Sequence, residues 1–78
     1  MPAGKQRTRL RYRGDGPDVM ADAVLRLLRY ARRHDVEFTF GPVRLADLER
    51  DGLEIVGVDL EPVMQLLAAV PGLAQVDL

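Results

Sequence analysis

Four arginines alternate with other residues near the start of the chain, at positions 7, 9, 11 and 13. Because side chains two residues apart lie on the same face of a β-strand, this segment predicts a strand with an arginine face, formed by Arg7, Arg9, Arg11 and Arg13. Guanidinium groups bind phosphate and carboxylate oxygens through paired hydrogen bonds. The arginine face is therefore a candidate for contact with nucleic acid, with another phosphate-bearing ligand or with an acidic protein.

The same arginines have an alternative role inside the chain. Four like charges on one strand repel each other unless neighbouring strands neutralise them. If the other strands pair in the register that their own alternation suggests, the arginine face also carries the following residues: Glu37, Glu54, Gln75 and Asp77. Tyr12 alternates onto the opposite, core side with Leu10, so the face offers no aromatic ring on which a base could stack.

Side chains that commonly carry catalysis are scarce in this composition. The 78 residues include no Ser, Cys, Asn or Trp and a single His. Serine and cysteine nucleophiles, disulfides and cysteine-ligated metal sites are thereby excluded. His34 follows two arginines where a helix is predicted to end, a position that favours capping of helix carbonyls over catalysis. We therefore predict no catalytic residues and a protein that is not an enzyme.

Two short motifs resemble ligand sites without completing them. An Asp-x-Glu-x-Asp-Gly motif at residues 47–52 matches the first half of a calcium-binding loop, but Val58 occupies the position where a bidentate Glu is needed. A glycine loop at residues 14–17 leads into a predicted helix, as phosphate-binding loops do. It carries Asp15 and is followed by Asp18, whose charges would repel phosphate. We predict no metal site and no cofactor.

The periodicity of the chain predicts the elements that position these residues. Alternation predicts strands at about residues 8–13, 36–40, 53–58 and 73–78. Helical spacing predicts helices over 17–34 and 61–70, with a short helical turn at 46–50. In the final strand, Ala74, Val76 and Leu78 share one side. The apolar stripe of the first helix consists of Met20, Ala23, Val24, Leu27, Leu28 and Ala31.

The order β-α-β-β-α-β predicts an α+β domain of the ferredoxin-like class. Right-handed crossovers would place the first and third strands in the centre of a four-stranded antiparallel sheet, with two helices on one face. We expect residues 1–6 to form a flexible N-terminus and residues 7–78 to form a single domain. A chain of this length buries only about 60% of the surface that its unfolded form exposes, so contact with a partner would add stability that the core alone supplies sparingly.

The final helix is the candidate surface for such a partner. Residues 63–70 contain a single polar side chain, and a helix that is apolar all round is usually buried all round. If one side packs on the sheet, the outer side carries the predicted protein interface, which consists of Met64, Gln65, Ala68 and Ala69. Small residues beside a methionine are typical of contact with another helix.

Charge is distributed unevenly although the net charge is only −1. Residues 1–44 carry ten basic and five acidic side chains, a net of +5, whereas residues 45–78 carry one basic and seven acidic, a net of −6. The asymmetry either polarises the surface or is neutralised when the two halves interleave in the fold. The first six residues lack the apolar run of a signal peptide, and no apolar run approaches the length of a membrane span. We expect a cytoplasmic protein with no membrane partner.

Two stretches resemble known families of small α+β proteins. Residues 51–57 with residues 71–76 resemble the second half of acylphosphatases, which implies the same order of elements. Acylphosphatase activity requires an Arg in a glycine-rich phosphate loop and an Asn on a later strand. This chain has Asp15 in that loop and no Asn, so the activity is not carried over.

The stretches at residues 9–13 and 41–45 resemble ribosomal protein ten of the small subunit, over roughly residues 8–46. That family uses a long basic hairpin for ribosomal RNA, whereas the corresponding segment here, residues 47–51, is short and acidic. The predicted topology is also shared with ACT domains, which sense small molecules and pair side by side. Their ligand-loop glycine signature is not present in this chain.

These observations favour a small, non-catalytic protein-interaction or oligomerisation module, acting as a homo-oligomer or with a different protein partner. The alternative is a nucleic-acid or phosphate-binding module that uses the arginine face of the first strand. A third possibility is an ACT-like small-molecule-sensing domain.

Overall fold

A computed structural model describes residues 6–76 of the chain. Within this range it has four strands and three helices in the following order: β1 (Thr8–Gly14), α1 (Pro17–Arg33), β2 (Phe38–Gly41), α2 (Leu45–Asp51), β3 (Leu53–Gly57), α3 (Glu61–Ala68) and β4 (Leu73–Val76). The α+β class is as predicted. Apart from Gln6, the predicted flexible N-terminus lies outside the described residues, as do the last two positions of the predicted final strand.

The four strands form one antiparallel sheet in the order β2-β3-β1-β4, so β1 and β3 are central, as the sequence predicts. β1 pairs with β3 so that Leu10 lies opposite Ile55 and Tyr12 opposite Leu53. β4 pairs with the other side of β1, and β2 with the other side of β3. Pro42, which has no N–H to donate, directly follows the edge strand β2, a position where that donor is not required.

One face of the sheet carries the core. The register places Leu10 and Tyr12 of β1 on the same face as Leu53 and Ile55 of β3. All three helices and their flanking residues add buried side chains to this core, namely Met20, Ala23, Val24, Leu27, Leu48, Leu60, Val63, Leu67 and Val70. The helices therefore pack on this face, and the arginine face lies on the other.

Local sequence explains where α1 begins and ends. Pro17 fits the first helical position, where a missing N–H needs no intrahelical partner. Asp18 in the first turn and two arginines in the last turn complement the helix dipole. His34 is the C-cap residue, and its backbone N–H donates to the carbonyl of Tyr30 at 3.1 Å. The helix ends one residue before the predicted boundary.

The helix count differs from the prediction of two helices. The segment expected to form a short turn is a seven-residue helix, α2, inserted between β2 and β3. Its Leu48 is buried in the core, which explains why this segment is ordered as a helix and not left as a turn. Gly52 ends the helix with a φ of 79°, a conformation that glycine adopts without steric cost.

Side-chain directions in β4 are the reverse of those predicted. Leu73 lies opposite Gly14, and Gln75 opposite Tyr12, so Leu73 and Gln75 face the helices. Ala74 and Val76 consequently lie on the side of the arginine face. The alternation predicted Gln75 on the arginine face, with Ala74 and Val76 on the opposite side. In the structure Leu73 is instead the residue of β4 that packs against the core.

The sheet interleaves the two oppositely charged halves of the chain. β1 and β2 come from the basic half and β3 and β4 from the acidic half. In the order β2-β3-β1-β4, every pair of neighbouring strands joins one half to the other. The fold therefore mixes the basic and acidic halves of the chain within the sheet and does not segregate them.

Candidate interaction surfaces

The arginines of β1 lie on the side of the sheet that the helices do not cover. Arg9 pairs in register with Val56, and Arg11 lies between Glu54 of β3 and Val76 of β4. Arg7 precedes β1 by one residue and is exposed, as are Arg9 and Arg13, whereas Arg11 is partly buried. The alternation of the sequence is thus preserved in the fold.

One of the anticipated acidic partners is close to the arginine face. A carboxylate oxygen of Glu54 lies 3.6 Å from Nε of Arg9, and the side chains of Arg9 and Glu54 are 60% and 43% exposed. Exposed ion pairs typically contribute about 0–1 kcal/mol, so this pair offsets little of the repulsion among the arginines.

The other anticipated partners do not join the arginines in the described residues. Gln75 lies opposite Tyr12 and so faces the helices. Glu37 lies just outside β2, with an exposed side chain and a backbone carbonyl that accepts a hydrogen bond from Val58. Asp77 lies outside the described residues.

Two of the arginines bind the end of α2, an arrangement that the sequence analysis did not anticipate. A terminal nitrogen of Arg11 donates to the carbonyl of Asp51 at 2.9 Å. Arg13 donates to the carbonyl of Arg50 at 2.9 Å and, at 3.5 Å, to that of Glu49. The last carbonyls of a helix lack intrahelical partners and carry the negative end of its dipole. We call these three contacts the arginine clamp, because they hold the C-terminus of α2 against β1.

The acidic motif at residues 47–52 is engaged by Arg50. A terminal nitrogen of Arg50 lies 3.0 Å from a carboxylate oxygen of Asp47 and 3.1 Å from one of Asp51. The hydrogen bond from Arg50 lowers the pKa of Asp51 below its ordinary value, and the same bond raises the pKa of Arg50. Within residues 6–76, no group of three potential metal ligands is arranged to hold an ion.

The predicted interface on the final helix borders a groove. Met64, Gln65 and Ala68 are exposed on α3 and line one wall of a groove of about 560 Å³. Its remaining lining comes from Tyr12, Glu61, Leu67, Leu73 and Gln75. The groove exists because the inward side of the edge strand β4 is only partly covered by the helices. We call it the α3–β4 groove.

The fourth predicted interface residue, Ala69, caps the C-terminus of α3 and is exposed but does not line the α3–β4 groove. Tyr12 lies in the groove lining with only 5% of its surface exposed, and burial raises the pKa of its phenol. Beside the groove, β4 has a free edge, because its pairing partner β1 lies on one side and no strand of the described chain lies on the other. An apolar groove thus adjoins unpaired backbone groups.

A second apolar surface lies on the outside of α1 and was missed by the sequence analysis. Leu25 and Leu28 of α1 are 45% and 44% exposed, and they adjoin Val43 and Leu45, which are 61% and 46% exposed. With Ala21 these side chains line a shallow groove of about 200 Å³. We call these five residues the α1 patch. Leu28, predicted to face the core, therefore faces outward instead.

The width of the apolar stripe on α1 was the signal that could have revealed the patch. Val24 and Leu25 are adjacent in the sequence, as are Leu27 and Leu28, so apolar side chains cover far more than one narrow face. The sheet and the other helices bury the side that carries Val24 and Leu27. No part of residues 6–76 covers the side that carries Leu25 and Leu28.

Comparison of the chain with protein-family models, with curated proteins and with solved structures finds no match. None of the helices in residues 6–76 combines the length and the apolar character that crossing a bilayer would require. The function must therefore be inferred from the surfaces of the domain.

Proposed function

We propose that this chain is a non-catalytic protein-interaction module and that the α3–β4 groove, with the free edge of β4, is its contact surface. The observation that carries this proposal is the groove itself, whose apolar wall of Met64 and Ala68 adjoins unpaired strand backbone. An extended segment of a partner protein can add to such an edge as a further strand. Alternate side chains of that segment would enter the groove, since side chains on a strand alternate between its faces.

The chemistry of the lining defines the partner segment. The floor and one wall are apolar, formed by Leu67, Leu73 and Met64, so the inward side chains of the partner are apolar. Gln65 and Gln75 provide amide groups beside them, which suits a polar or backbone hydrogen-bonding group of the partner. An extended segment that alternates apolar and polar residues satisfies both requirements.

A finer assignment of the fold accompanies this proposal. We propose that the domain is a ferredoxin-like variant in which α2 is an addition between β2 and β3. Support comes from the strand order, which reads β4-β1-β3-β2 from the opposite edge, and from α1 and α3, which follow β1 and β3. This topology hosts many unrelated functions, so the proposed interaction role depends on the groove and not on the fold.

The test uses isotope-labelled protein and a panel of ten-residue peptides with alternating apolar and polar residues, followed by NMR. We expect shifts at the β4 amides and at the Met64 methyl, with new protection of β4 amides from hydrogen exchange. Ala68→Arg should fill the groove and weaken peptide binding at least tenfold, whereas Ala46→Arg, the same change at an exposed position of α2 outside the groove, should not. Equal binding by both variants, or shifts confined to another surface, would refute the proposal.

The arginine face supports a second candidate function, contact with nucleic acid or another polyanion. Arg7, Arg9 and Arg13 are exposed on a sheet face that the helices leave open. The structure changes how this should be tested, because alanine at Arg11 or Arg13 would also remove the arginine clamp. The informative variant is Arg7→Ala with Arg9→Ala, and it should lower the salt dependence of single-stranded RNA binding by about one unit of slope per lost phosphate contact. Unchanged RNA binding, or none by the wild type, would exclude this candidate.

A further inference from the structure

The outward side of α1 carries residues at coiled-coil spacing. Positions 18, 21, 25, 28 and 32 are separated alternately by three and four residues, which places them on one side of a helix. All five positions are exposed, and they are occupied by Asp18, Ala21, Leu25, Leu28 and Arg32. This outer stripe is apolar in its middle and carries opposite charges at its two ends.

The apolar residues of the outer stripe are not needed to fill the core. The inward side of α1 already buries Met20, Val24 and Leu27. A helix side that meets only water normally carries polar residues. Here Leu25 and Leu28 are joined by Val43 and Leu45 into one contiguous apolar patch, which is typical of an association surface.

The charges along α1 indicate which partner fits the patch. Acidic residues lie in its N-terminal half, at Asp18 and Asp22, and arginines lie in its C-terminal half, at positions 26, 29, 32 and 33. A second copy packed parallel would set like charges against each other. In an antiparallel copy centred on Leu25, Asp18 lies opposite Arg32, because each is seven residues, or about 10 Å, from Leu25.

We propose that two copies of this chain form a symmetric dimer in which their α1 helices pack antiparallel. Leu25 lies near the two-fold axis, Leu28, Val43 and Leu45 extend the apolar contact, and Asp18 pairs with Arg32 of the other copy at both ends. Because the interface is isologous, each of these contacts occurs twice. The α1 patch shares no residue with the α3–β4 groove, so this association is separate from the proposed partner binding.

Sedimentation equilibrium and light scattering over a range of concentrations test the dimer. Leu25→Glu places two carboxylates together near the axis and should raise the dissociation constant at least tenfold. The matched control is Pro62→Glu, which introduces the same charge at an exposed apolar residue of α3 that lines neither the α1 patch nor the α3–β4 groove, and it should leave the dissociation constant unchanged. Circular dichroism checks that both variants remain folded.

A charge-reversal experiment tests the antiparallel arrangement specifically. Asp18→Arg alone places two arginines against each other at each end of the dimer, and Arg32→Asp alone places two aspartates against each other at each end. Each variant should therefore dimerise more weakly than the wild type.

When the two variants are mixed, an antiparallel heterodimer restores an oppositely charged pair at both ends, because one copy carries arginine at positions 18 and 32 and the other carries aspartate at both. We therefore expect the mixture to associate more tightly than either variant by itself, a result that a loss of folding could not produce.

Three results would overturn the proposal. The first is a wild-type chain that stays monomeric at about 1 mM, a concentration at which even a dimer with a dissociation constant of about 1 mM is substantially formed. The second is a Leu25→Glu variant that dimerises like the wild type. The third is a mixture of the two charge variants that fails to associate. None of these results bears on peptide binding at the α3–β4 groove, which has its own readout.

Discussion

The arginine clamp provides a direct test of how β1 stabilises α2. The helix has seven residues and one buried side chain, Leu48. Isolated helices shorter than about 12–15 residues are marginal in water, so α2 depends on contacts with the rest of the domain. Arg13 supplies two of these contacts at the helix C-terminus. Replacing Arg13 by alanine should therefore weaken α2 and the whole domain with it.

The expected loss follows from the geometry. Arg13→Ala removes a hydrogen bond of 2.9 Å to the carbonyl of Arg50 and a longer one of 3.5 Å to that of Glu49. Hydrogen bonds from charged groups contribute about 1.5–3 kcal/mol, and an exposed cation at a helix C-terminus about 0.3–1 kcal/mol. Because Arg13 is exposed, we expect about 1 kcal/mol, which lowers the midpoint of thermal unfolding of a domain this size by about 4–8 °C.

Urea and thermal unfolding followed by circular dichroism measure this difference. The matched control is Arg7→Ala, an alanine substitution at another exposed arginine of the same face that makes no side-chain hydrogen bond or ion pair within residues 6–76. The stability of Arg13→Lys should lie between those of Arg13→Ala and Arg7→Ala, because an ammonium group lacks the planar fork that reaches both carbonyls. The reasoning is refuted if Arg13→Ala and Arg7→Ala unfold alike, or if Lys at position 13 fully replaces Arg.

Three further predictions concern the same region and its surroundings. Gly52→Ala should destabilise the domain by about 1–3 kcal/mol in urea unfolding, because φ is 79° and the added Cβ would lie 2.8 Å from the carbonyl oxygen of Tyr12. Gly16→Ala should change stability little, because, apart from its chain neighbours, no atom of the described residues lies within 4 Å of the added Cβ. Leu48→Ala should lower the free energy of unfolding by about 2–5 kcal/mol, because Leu48 is 2% exposed. An equal effect of Ala46→Gly would contradict the assigned role of Leu48 as the anchor of α2. An NMR titration should show the pKa of the Asp51 carboxyl below its ordinary value, and the pKa should return toward that value in Arg50→Ala. Because folding lowers this pKa, the contribution of Asp51 to stability is present at neutral pH and is lost as the pH falls through the folded pKa.

The central part of the fold could be predicted from the sequence because its periodicity is strict. Every second residue from position 7 to position 13 of β1 is an arginine, beginning one residue before the strand, and Leu10 and Tyr12 between them are buried as expected. The regular spacing of Met20, Val24 and Leu27 likewise locates α1. Where polar and apolar residues alternate at one clear period, local sequence and tertiary burial agree.

The parts that failed were decided by tertiary contacts. The sequence of β4 permits either side to face inward, and the choice depends on its pairing with β1, which sets Leu73 opposite Gly14. α2 is a helix because Leu48 reaches the core and two arginines bind its end, both of which depend on distant segments. A local pattern contains no information about these contacts.

The candidate surfaces were predictable to different degrees. Met64, Gln65 and Ala68 were identified because α3 has too few polar residues to face water on its outer side, and they line the α3–β4 groove. The α1 patch was missed because Leu28 was assigned to the core. The spacing of apolar residues along one helix does not indicate how many of them a sheet of four short strands can cover.

The interleaved strand order has a consequence for the connectivity of the domain. If the backbone were divided after Arg44, the first piece would contain β1, α1 and β2, and the second α2, β3, α3 and β4. Neither piece would contain two strands that are neighbours in the sheet, so neither could form a ladder of the native sheet unaided. The pieces carry opposite charge, +5 and −6, which favours their encounter. We expect them to fold only on meeting, which would make this chain a natural starting point for a two-fragment complementation reporter.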